Sequence, residues 1–412
     1  MSRVILHLDL DAFFCAVEEQ RDPSLVGRAF AVGGRPEERG VVASCSYAAR
    51  RHGIRSAMPM ARALKICPGL IVVSSRHGAY GEVSRQVMQR LRAVTSQIEQ
   101  VSIDEAFLDV SDLPEPGVVL ARRLQGTIRN ELGLPCSLGV ASNKLVAKIA
   151  NDVGKAGAKK IDPPGPPNAI TVVPPGQEAE FLAPLPVRAL WGVGPKTEGR
   201  LAEMGINTIG ELAGMPEEEL ALRFGKHGRD LALGARGIDE SPIVTSHTAK
   251  SISQETTFAR DLHERSQLLQ TLSTQAESVA RQLEKAGMDC QTIKLKLRWA
   301  DFTTITRQVS LEKPTRDPQV ISEIAQQLFS RVWTTNRPVR LLGVGASTLR
   351  QSEPCHDEVR QLGLWETDPL KERRLQETIA NLRQRFGDQV VQLGKLQSDP
   401  HSHPKSQNKT IK

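Results

Sequence analysis

A cluster of prolines near the middle of the chain limits the folds that are open to it. Residues 161–176, IDPPGPPNAITVVPPG, contain six prolines. Each proline lacks a backbone N–H donor and has a fixed φ angle, so this composition argues against any regular element in the segment. We therefore predict a domain boundary here. The length of 412 residues also exceeds what one ordinary core needs and favours roughly two to four domains.

The part of the chain before this boundary alternates between strand-like and helix-like patterns. Apolar runs predict strands at 3–9, 29–32, 41–46, 98–102, 106–110 and 136–141. Helical periodicity predicts helices at about 59–66, 78–95, 117–132 and 143–152. Strands interleaved with helices, with one hairpin among them, indicate an α+β domain whose sheet is mostly antiparallel.

The part after the boundary predicts two further units. Residues 178–240 read as short helices with glycine turns, and the polar segment 241–250 reads as a linker. Strand patterns then return at 251–258, 292–299, 304–311 and 339–348, with helices at about 261–286 and 318–333. We expect a second α+β unit there, followed from residue 350 by a polar tail with a disordered end.

Composition places the chain among intracellular proteins. Lys and Arg number 54 against 47 Asp and Glu, with a pI near 9.1; this suits a polyanionic partner, although solvated lysines explain it equally well. The six cysteines are scattered without metal-ligand spacing, which favours reduced thiols in the cytosol over a zinc site. The first apolar stretch is interrupted by His7, Asp9 and Asp11, so we predict a strand there, no signal peptide and no membrane span.

Two carboxylates interrupt the first predicted strand. Asp9 and Asp11 are two residues apart, so strand alternation would direct both to the same side. A buried carboxylate needs a compensating charge, which a bound cation can supply. The alternative is a strand end at which both aspartates meet solvent or cap the helix that follows.

A second acidic pair, Asp104-Glu105, stands between two predicted strands, where a turn built only for folding favours Gly or Asn. Carboxylates from two strand ends can converge on a pair of divalent cations. Oxygen ligands without nearby His or Cys favour Mg²⁺ over Zn²⁺. Two such ions catalyse in-line attack at phosphorus, so the predicted reaction class is phosphoryl transfer.

Three further side chains are candidates for binding a polyphosphate. Tyr47 and Arg50 lie three apart where a strand passes into a helix, which would place both on one side. Lys155, which we expect in a glycine-rich segment after a helix, could add a third contact. A solvated basic surface remains the better interpretation for the neighbouring Lys159 and Lys160.

Four motifs resemble, in order and spacing, those of Y-family translesion DNA polymerases of the bacterial DNA polymerase IV type. They are LDLDAFFCAVE, SYAARRHGIRSAMP, VSIDEAFLDV and SNKLVAKIANDVGK. The resemblance covers about residues 3–349 and implies a right-hand arrangement of domains. The implied ranges are a ferredoxin-like palm (1–11 and 75–165), fingers (12–74), a helical thumb (166–240), a linker (241–250), an α+β little finger (251–349) and a C-terminal tail (350–412).

The resemblance also implies roles for individual residues in the palm. Asp9 and Asp104 would be ligands of two Mg²⁺ ions, Glu105 the catalytic carboxylate closest to the metal at the primer hydroxyl, and Leu10 a carbonyl donor. Asp11 matches an acidic position that is not a direct ligand, contrary to the inference from strand alternation.

The same resemblance implies how the incoming nucleotide is held. Tyr47, Arg50 and Lys155 match the triphosphate contacts. Phe13 and Phe14 match an aromatic pair at the nucleotide, and the ring of Phe14 would exclude ribonucleotides; a core residue is the alternative for Phe14. The family commonly has Lys-Pro-Asn-Gly where this chain has Lys155-Ala156-Gly157. This segment is one residue shorter than in the family, so the family pattern does not define the path of the loop here.

Candidate DNA contacts lie outside the palm. The segment LWGVGPKTEGRLAEMGINTIGEL resembles a helix-hairpin-helix, in which Gly192, Gly194 and Lys196 would meet a DNA phosphate. In the little finger, Lys294, Lys296 and Arg298 alternate with apolar residues, giving one basic face. Residues 241–350 hold 15 Lys and Arg against 10 Asp and Glu, a net charge of +5 out of the +7 of the chain.

The peptide QLGLW in the polar tail resembles the short segment by which bacterial polymerases dock on the sliding clamp. Gln361, Leu362, Leu364 and Trp365 would make that contact, and a chance hydrophobic cluster is the alternative.

These observations together predict a DNA-directed DNA polymerase of low fidelity, acting as a monomer on primer-template DNA and deoxynucleoside triphosphates. The small residues Ala43, Ser44 and Ala57 over the nascent pair fit tolerance of damaged templates. Two alternatives stay open: a metal-dependent nucleotide cyclase, which also uses a palm-like sheet with paired carboxylates, and a DNA-binding member of the family without catalytic activity.

Overall fold

The computed structural model of the protein describes residues 3–158, 165–335 and 337–352, together with Thr378. Met1–Gln351 form one compact unit and Ser352–Lys412 a second, of which only Ser352 and Thr378 are described. The strands are β1 (Ile5–Leu10), β2 (Phe30–Gly33), β3 (Val42–Cys45), β4 (Ile71–Ser74), β5 (Ile98–Gln100), β6 (Glu105–Asp109), β7 (Cys136–Ala141), β8 (Ile170–Val172), β9 (Ser251–Leu262), β10 (Met288–Trp299), β11 (Thr304–Thr315) and β12 (Val339–Gln351). The helices are α1 (Phe13–Arg21), α2 (Tyr47–Arg51), α3 (Met60–Ile66), α4 (His77–Arg92), α5 (Gly117–Leu132), α6 (Lys144–Ala158), α7 (Glu178–Leu182), α8 (Pro195–Ala202), α9 (Ile209–Ala213), α10 (Glu217–Phe224), α11 (Lys226–Ala235), α12 (Arg265–Ala286) and α13 (Pro318–Val332).

The first sheet has five strands in the order β5-β6-β1-β7-β8. Only the β7–β8 pair is parallel, which confirms the prediction of a mostly antiparallel sheet. Because side chains alternate along a strand, β1 serves two cores. Leu6, Leu8 and Leu10 join the cluster that includes α4 and α5, whereas Ile5 joins the cluster that includes α6. His7 and Asp9 therefore lie on the same face of the sheet as Ile5, towards α6.

The prediction that residues 161–176 hold no regular element is wrong. Ile170–Val172 form β8, which pairs in parallel with Leu138–Val140 of β7 at the edge of the five-stranded sheet. The prolines at 166–167 and 174–175 stand on either side of this short strand, so none of them interrupts its ladder. The sheet therefore continues past residue 165, where we had expected the palm to end.

A small second sheet has the order β3-β2-β4, and its last strand was not predicted. Ile71–Ser74 pair in parallel with Phe30–Gly33, and Val42–Cys45 pair antiparallel on the other side. Helices α2 and α3 cover it through a core that includes Ala49, Met60 and Ala63.

Helices α7 to α11 follow β8 and confirm the prediction of short helices in 178–240. Their buried leucines and isoleucines join the same core as α6, so this unit packs on the α6 side of the first sheet. Thr208 begins α9 with a capping box, since its side chain accepts from Glu211 N and the Glu211 side chain accepts from Thr208 N.

The third sheet has the order β11-β10-β12-β9, with α12 and α13 on one face only. Ile293, Leu295 and Leu297 of β10 are fully buried beneath these helices. The intervening Lys294, Lys296 and Arg298 lie on the opposite face and are partly exposed. The predicted alternation of a basic and an apolar face along this strand is confirmed.

The segment before β9 is tied to the first sheet by a buried ion pair. Lys144 Nζ lies 2.7 Å from Glu99 Oε2, and both side chains are almost fully buried. Lys144 Nζ also donates to Pro242 O, and the same Glu99 oxygen accepts from Val244 N at 2.8 Å. A second link joins the small sheet to β9, where Arg39 Nη1 lies 2.6 Å from Asp261 Oδ1.

Candidate active site

A polar cavity of about 280 Å³ opens where β1 ends. Its floor comes from the β1 end and from Asp104 before β6, and one wall comes from β3 and α2. The residues that line it are Asp9, Leu10, Ala12, Phe13, Phe14, Ala43, Ser44, Tyr47, Arg50, Ser56, Asp104 and Lys155. The cavity thus brings together most of the residues predicted from the sequence for metal and nucleotide binding, and its wall includes the small residues Ala43 and Ser44.

The backbone brings the three candidate carboxylates to one place. Asp9 pairs directly with Glu105 across the antiparallel β1–β6 ladder. Leu10 N donates to Asp104 O at 2.9 Å, so the residue before β6 is held beside the last residue of β1. Side chains on directly opposite strand positions lie close together. The prediction that two strand ends present their acidic residues together is therefore confirmed for the backbone.

Each of these carboxylates is engaged by another side chain. Ser102 Oγ donates to Asp104 Oδ1 at 2.5 Å. Lys148 Nζ lies 3.1 Å and 3.0 Å from the two Glu105 oxygens, and Lys155 forms an ion pair with Asp9. Within the residues that the structure describes, no three His, Cys, Asp or Glu side chains stand close enough to hold a metal ion as they are placed.

The lysines come from one stripe of α6. Lys144, Lys148, Asn151 and Lys155 follow each other at spacings of four, three and four, so they share one face of the helix. That face lies against the acidic face of the sheet, with Lys144 at Glu99, Lys148 at Glu105 and Lys155 at Asp9. The prediction that Lys155 follows a helix is wrong. Helix α6 continues to Ala158, because Ala and Lys are strong helix formers that sustain it through the glycines.

Asp11 lies just past the end of β1. The strand ends at Leu10, and Ala12 turns the chain with a φ of 48°, so Asp11 is not part of the strand. Asp9 and Asp11 nevertheless both contact Lys155, so the prediction that the two carboxylates lie on the same side is confirmed. The Asp11 carboxylate is buried and accepts hydrogen bonds from Ser137 Oγ and Asn168 N. Lys155 lies 3.5 Å from it.

Burial governs the protonation of the polar groups at this site. Burial raises the pKa of Asp9 from 3.8 to about 6, and the nearby Asp104 and Glu105 add to this while Lys155 opposes it. Burial also raises the pKa of the Tyr47 hydroxyl, which therefore stays protonated and able to donate. The pKa of His7 is well below its usual value, first because of burial and then because of Lys148 and Lys155. The imidazole is neutral at physiological pH.

The predicted triphosphate contacts lie together. Tyr47 is the first residue of α2, and the Arg50 guanidinium lies 4.6 Å from the centre of its ring. Arg50 Nε donates to Cys45 O at 3.2 Å, which fixes the arginine at the end of β3. With Lys155 on the other side of the cavity, two cations and a hydroxyl donor face the space above Asp9 and Asp104. Such donors suit a polyphosphate.

The two aromatic residues at the start of α1 differ in their surroundings. Phe13 is almost fully buried in the main core, and Phe14 is partly exposed in the cavity. The Phe14 ring packs on Tyr80 of α4. Tyr80 is a residue that the sequence reasoning missed, since no local motif links position 80 with position 14.

The predicted helix-hairpin-helix turn lies at the start of α8. Gly192 has a φ of 95°, which favours glycine there, and Gly194 is the residue before the helix. Lys196 lies in the first turn of α8. Trp191, next to the turn, has 52% of its surface exposed, which is unusual for a tryptophan. The sequence reasoning passed over this residue.

The basic residues of β10 occupy a face made flat by glycines. Lys296 stands opposite Gly343 on β12, and Gly343 stands opposite Glu255 on β9. Because Gly343 has no side chain, Lys296 reaches across it to Glu255, with Nζ–O distances of 3.0 Å and 2.7 Å. Arg298 Nε donates to Thr304 Oγ1.

Comparison with known proteins decides the family. The sequence profile of the impB/mucB/samB family matches residues 8–152, and the profile of that family's C-terminal domain matches residues 249–364. The profile of the IMS family HHH motif matches residues 175–206. The DNA polymerase IV of Desulfatibacillum aliphaticivorans is 37% identical over 97% of this chain and 98% of its own length. The DNA polymerase IV of Methanoculleus marisnigri is 42% identical over 84% of this chain and 95% of its own length. The chain belongs to the DNA polymerase IV group of the Y family.

A solved structure supports the same assignment for the fold. The Y-family DNA polymerase chimera Dbh-Dpo4(243-245)-Dbh has a TM-score of 0.74 and 26% sequence identity, covering 84% of this chain and 98% of that chain. The right-hand α+β architecture predicted from the motifs is confirmed. As a Y-family member the chain is a DNA-directed DNA polymerase of low fidelity that functions in translesion synthesis, uses divalent metal ions, and binds primer-template DNA and deoxynucleoside triphosphates.

Two further predictions concern the clamp peptide and membrane spans. The candidate clamp peptide, Gln361–Trp365, lies outside the described residues. Among the helices that are described, none is long and apolar enough to cross a membrane.

Proposed function

We propose that Asp9, Asp104, Glu105 and the carbonyl of Leu10 hold two Mg²⁺ ions and form the polymerase centre of this chain. The convergence of the β1 end with the start of β6 carries the proposal. The cavity lining offers carboxylate and carbonyl oxygens and contains neither His nor Cys, which suits a hard divalent cation. The raised pKa of Asp9 indicates a carboxylate whose charge is under-compensated in its buried surroundings.

The lysines of α6 fit this proposal as counter-ions of a site that binds cations. Lys155 engages Asp9, and Lys148 engages Glu105. A carboxylate cluster without any positive partner would repel itself in a partly buried site. When bound, the ions would activate the primer hydroxyl and neutralise the leaving pyrophosphate.

The remaining residues bind and orient the nucleotide in this proposal. Tyr47 donates its hydroxyl hydrogen to a phosphate oxygen, and Arg50 and Lys155 neutralise the triphosphate. Phe14 occupies the space that a ribose 2′-hydroxyl would need. Ala43 and Ser44 leave room above the base pair, which accords with tolerance of an altered template base.

The proposed DNA contacts lie outside the polymerase centre. We propose that Gly192, Gly194 and Lys196 contact the phosphates of one strand, and that Lys294, Lys296 and Arg298 follow the backbone on the open face of the third sheet. These contacts carry no sequence information, which suits a polymerase that must accept any template.

The tail and the cellular setting are part of the proposal. Gln361, Leu362, Leu364 and Trp365 dock on a sliding clamp, and the chain works as a monomer in the cytoplasm. The cysteines of the described residues are free and buried, which suits a reducing compartment: Cys15, Cys45, Cys67, Cys136 and Cys290.

A primer-extension assay with magnesium tests the centre. Asp104→Asn and Glu105→Gln should each abolish extension while DNA affinity and melting temperature stay near the parent values. Asp112→Asn removes an exposed carboxylate just after β6 and serves as the control, with expected parent activity. Extension at the parent rate by either site variant would refute the metal-site assignment. A parent protein that binds DNA without extending a primer would instead indicate a non-catalytic member of the family.

A further inference from the structure

His7 is a buried imidazole beneath the candidate centre. It lies on β1 two residues before Asp9, has no exposed surface, and is directed towards α6 with Asp9. Its Nε2 atom lies 3.9 Å from Glu105 Oε2. His7 is not among the functional residues inferred from the sequence motifs.

The hydrogen bonds of Asn151 determine where the imidazole proton resides. Asn151 Nδ2 lies 3.0 Å from His7 Nδ1, 3.2 Å from Ser137 O and 3.4 Å from His7 O. Backbone carbonyls only accept hydrogen bonds, so the amide atom that faces them must be the NH₂ group. His7 Nδ1 is therefore an acceptor, and in the neutral ring the proton is on Nε2.

The position of the ring is fixed from two sides. On one side, the Phe107 ring lies with its centre 4.6 Å from that of His7. On the other, α6 approaches closely because Gly139 has no side chain: a Cβ there would lie 1.9 Å from Ala147 O and 2.7 Å from Asn151 N. This close approach lets Asn151 reach His7.

The Nε2–H group is a buried donor without a hydrogen-bond partner among the described residues. A buried donor that is left unpaired is energetically unfavourable. Glu105 faces it, but the separation of 3.9 Å exceeds a hydrogen bond, and both Glu105 oxygens are held by Lys148. Glu105 also does not line the cavity in this arrangement.

We propose that His7 is a positioning residue for Glu105. When Glu105 leaves Lys148, one of its oxygens accepts a hydrogen bond from His7 Nε2–H, and the other is directed to the polymerase centre. The Asn151–His7–Glu105 series then orients the carboxylate from behind. This inference rests on the proposed role of Glu105.

Three substitutions of His7 distinguish this role from mere packing. His7→Gln places an amide near the Nε2 position, His7→Asn places one near the Nδ1 position, and His7→Leu has neither. We expect His7→Leu to lower the extension rate at saturating nucleotide by about 10- to 100-fold, as for other groups that orient metal ligands. The KM for nucleotide and the DNA affinity should stay unchanged. His7→Gln should recover most of the rate and His7→Asn should not.

Two measurements do not depend on activity. ¹⁵N-histidine NMR of the parent should show the His7 proton on Nε2, with the signal assigned by its loss in His7→Gln, and Glu105→Gln should shift it. Calorimetric titration of Mg²⁺ into the protein–DNA–nucleotide complex, with a primer lacking its 3′-hydroxyl, should show weaker binding for His7→Leu than for His7→Gln. The NMR measurement remains informative if His7→Leu does not fold, because it uses only the parent, His7→Gln and Glu105→Gln.

A His7 proton on Nδ1 would overturn the proposal, and so would a better recovery by His7→Asn than by His7→Gln. Parent rates in all three variants would do the same, provided that Glu105→Gln is inactive. An active Glu105→Gln variant would instead show that the role assigned to Glu105 is wrong.

Discussion

The Tyr80 ring lies parallel to the Phe14 ring, with 4.2 Å between their centres and 13° between their planes. Tyr80 is itself held in place, because its hydroxyl donates to Glu18 Oε1 at 2.7 Å. Arg76 compensates the charge of the buried Glu18 carboxylate from the other oxygen. Phe14 is thus supported from behind by a ring that cannot easily turn, and this support gives the proposed exclusion of ribonucleotides its rigidity.

Replacement of Phe14 by Ala should admit ribonucleotides. Removing the ring opens space for a 2′-hydroxyl but leaves the carboxylates untouched, so deoxynucleotide use should largely persist. The ratio of kcat/KM for deoxy- over ribonucleotides should fall by at least about tenfold. Tyr80→Ala should lower the ratio less, and Tyr80→Phe, which keeps the stacked ring but loses the hydrogen bond to Glu18, should lower it less still. An unchanged ratio in Phe14→Ala would make Phe14 a core residue only.

The buried carboxylate of Asp9 should make the metal-free protein less stable at high pH. Its pKa of about 6 in the folded protein lies above the ordinary value of 3.8. The folded state therefore binds the proton more tightly than the unfolded chain, and this contribution to stability, complete below about pH 4, is lost as the pH rises through 6.

Asp9→Asn should consequently melt roughly 2–6 °C above the parent at pH 8 in the presence of a chelator. The difference should shrink towards zero at pH 4, where Asp9 is protonated in the parent. Scanning calorimetry at several pH values measures this, with Asp112→Asn as the control for loss of an exposed charge. A difference that stays constant between pH 4 and pH 8 would contradict the raised pKa.

The ion pair between Lys296 and Glu255 should restrain DNA binding. Glu255→Gln removes a negative charge from the face proposed to bind DNA and releases Lys296 for a phosphate. Because an exposed ion pair contributes up to about 1 kcal/mol, the affinity for primer-template should rise by up to about fivefold. The slope of log K against log salt should become steeper by about 0.9, the value for one more phosphate contact.

Glu277→Gln provides a matched control for this experiment. Glu277 is exposed on α12, which covers the other face of the same sheet, so the change in net charge is identical. Fluorescence anisotropy over a range of salt concentrations gives both quantities. Equal effects of the two substitutions would show that only net charge matters and that Lys296 makes no specific contact.

The C-terminal peptide should be separable from synthesis. A polymerase with an open site holds its template loosely, and binding to a ring on the DNA would raise its effective concentration at the primer end. Replacing both Leu364 and Trp365 by Ala should leave synthesis without a clamp unchanged and remove the stimulation by a loaded clamp, since aliphatic and aromatic anchors carry most interface energy. Full stimulation of the double variant would place the docking surface elsewhere.

Much of the fold could be predicted because its signals are local. The alternation of Lys294, Lys296 and Arg298 with buried leucines depends only on the period of a strand. The acidic pair Asp104-Glu105 is conspicuous because it interrupts apolar segments. Motif spacing supplied the rest of the candidate centre, including Tyr47 and Arg50.

What could not be predicted depends on which elements meet in space. His7 and Lys148 gain their roles only because α6 lies across the face of β1 and β6, which no local pattern states. The spacing of Lys144, Lys148 and Lys155 does reveal one polar stripe of α6, but not what it faces. Strand β8 escaped prediction because three residues are too few for a periodic signal, and its pairing with β7 comes from the sheet.

Pro242 and Val244 are anchored on the Glu99–Lys144 pair, and this anchoring determines how much of the linker before β9 is free. Fifteen residues, 236–250, separate the last short helix from β9. Only the last six of them, 245–250, lie beyond Val244, the final anchored amide. Fully extended, six residues span about 20 Å. The third sheet can therefore move only about that far from the first sheet without disturbing the buried ion pair. When the polymerase releases its DNA, the third sheet consequently stays close to the rest of the proposed DNA-binding surface.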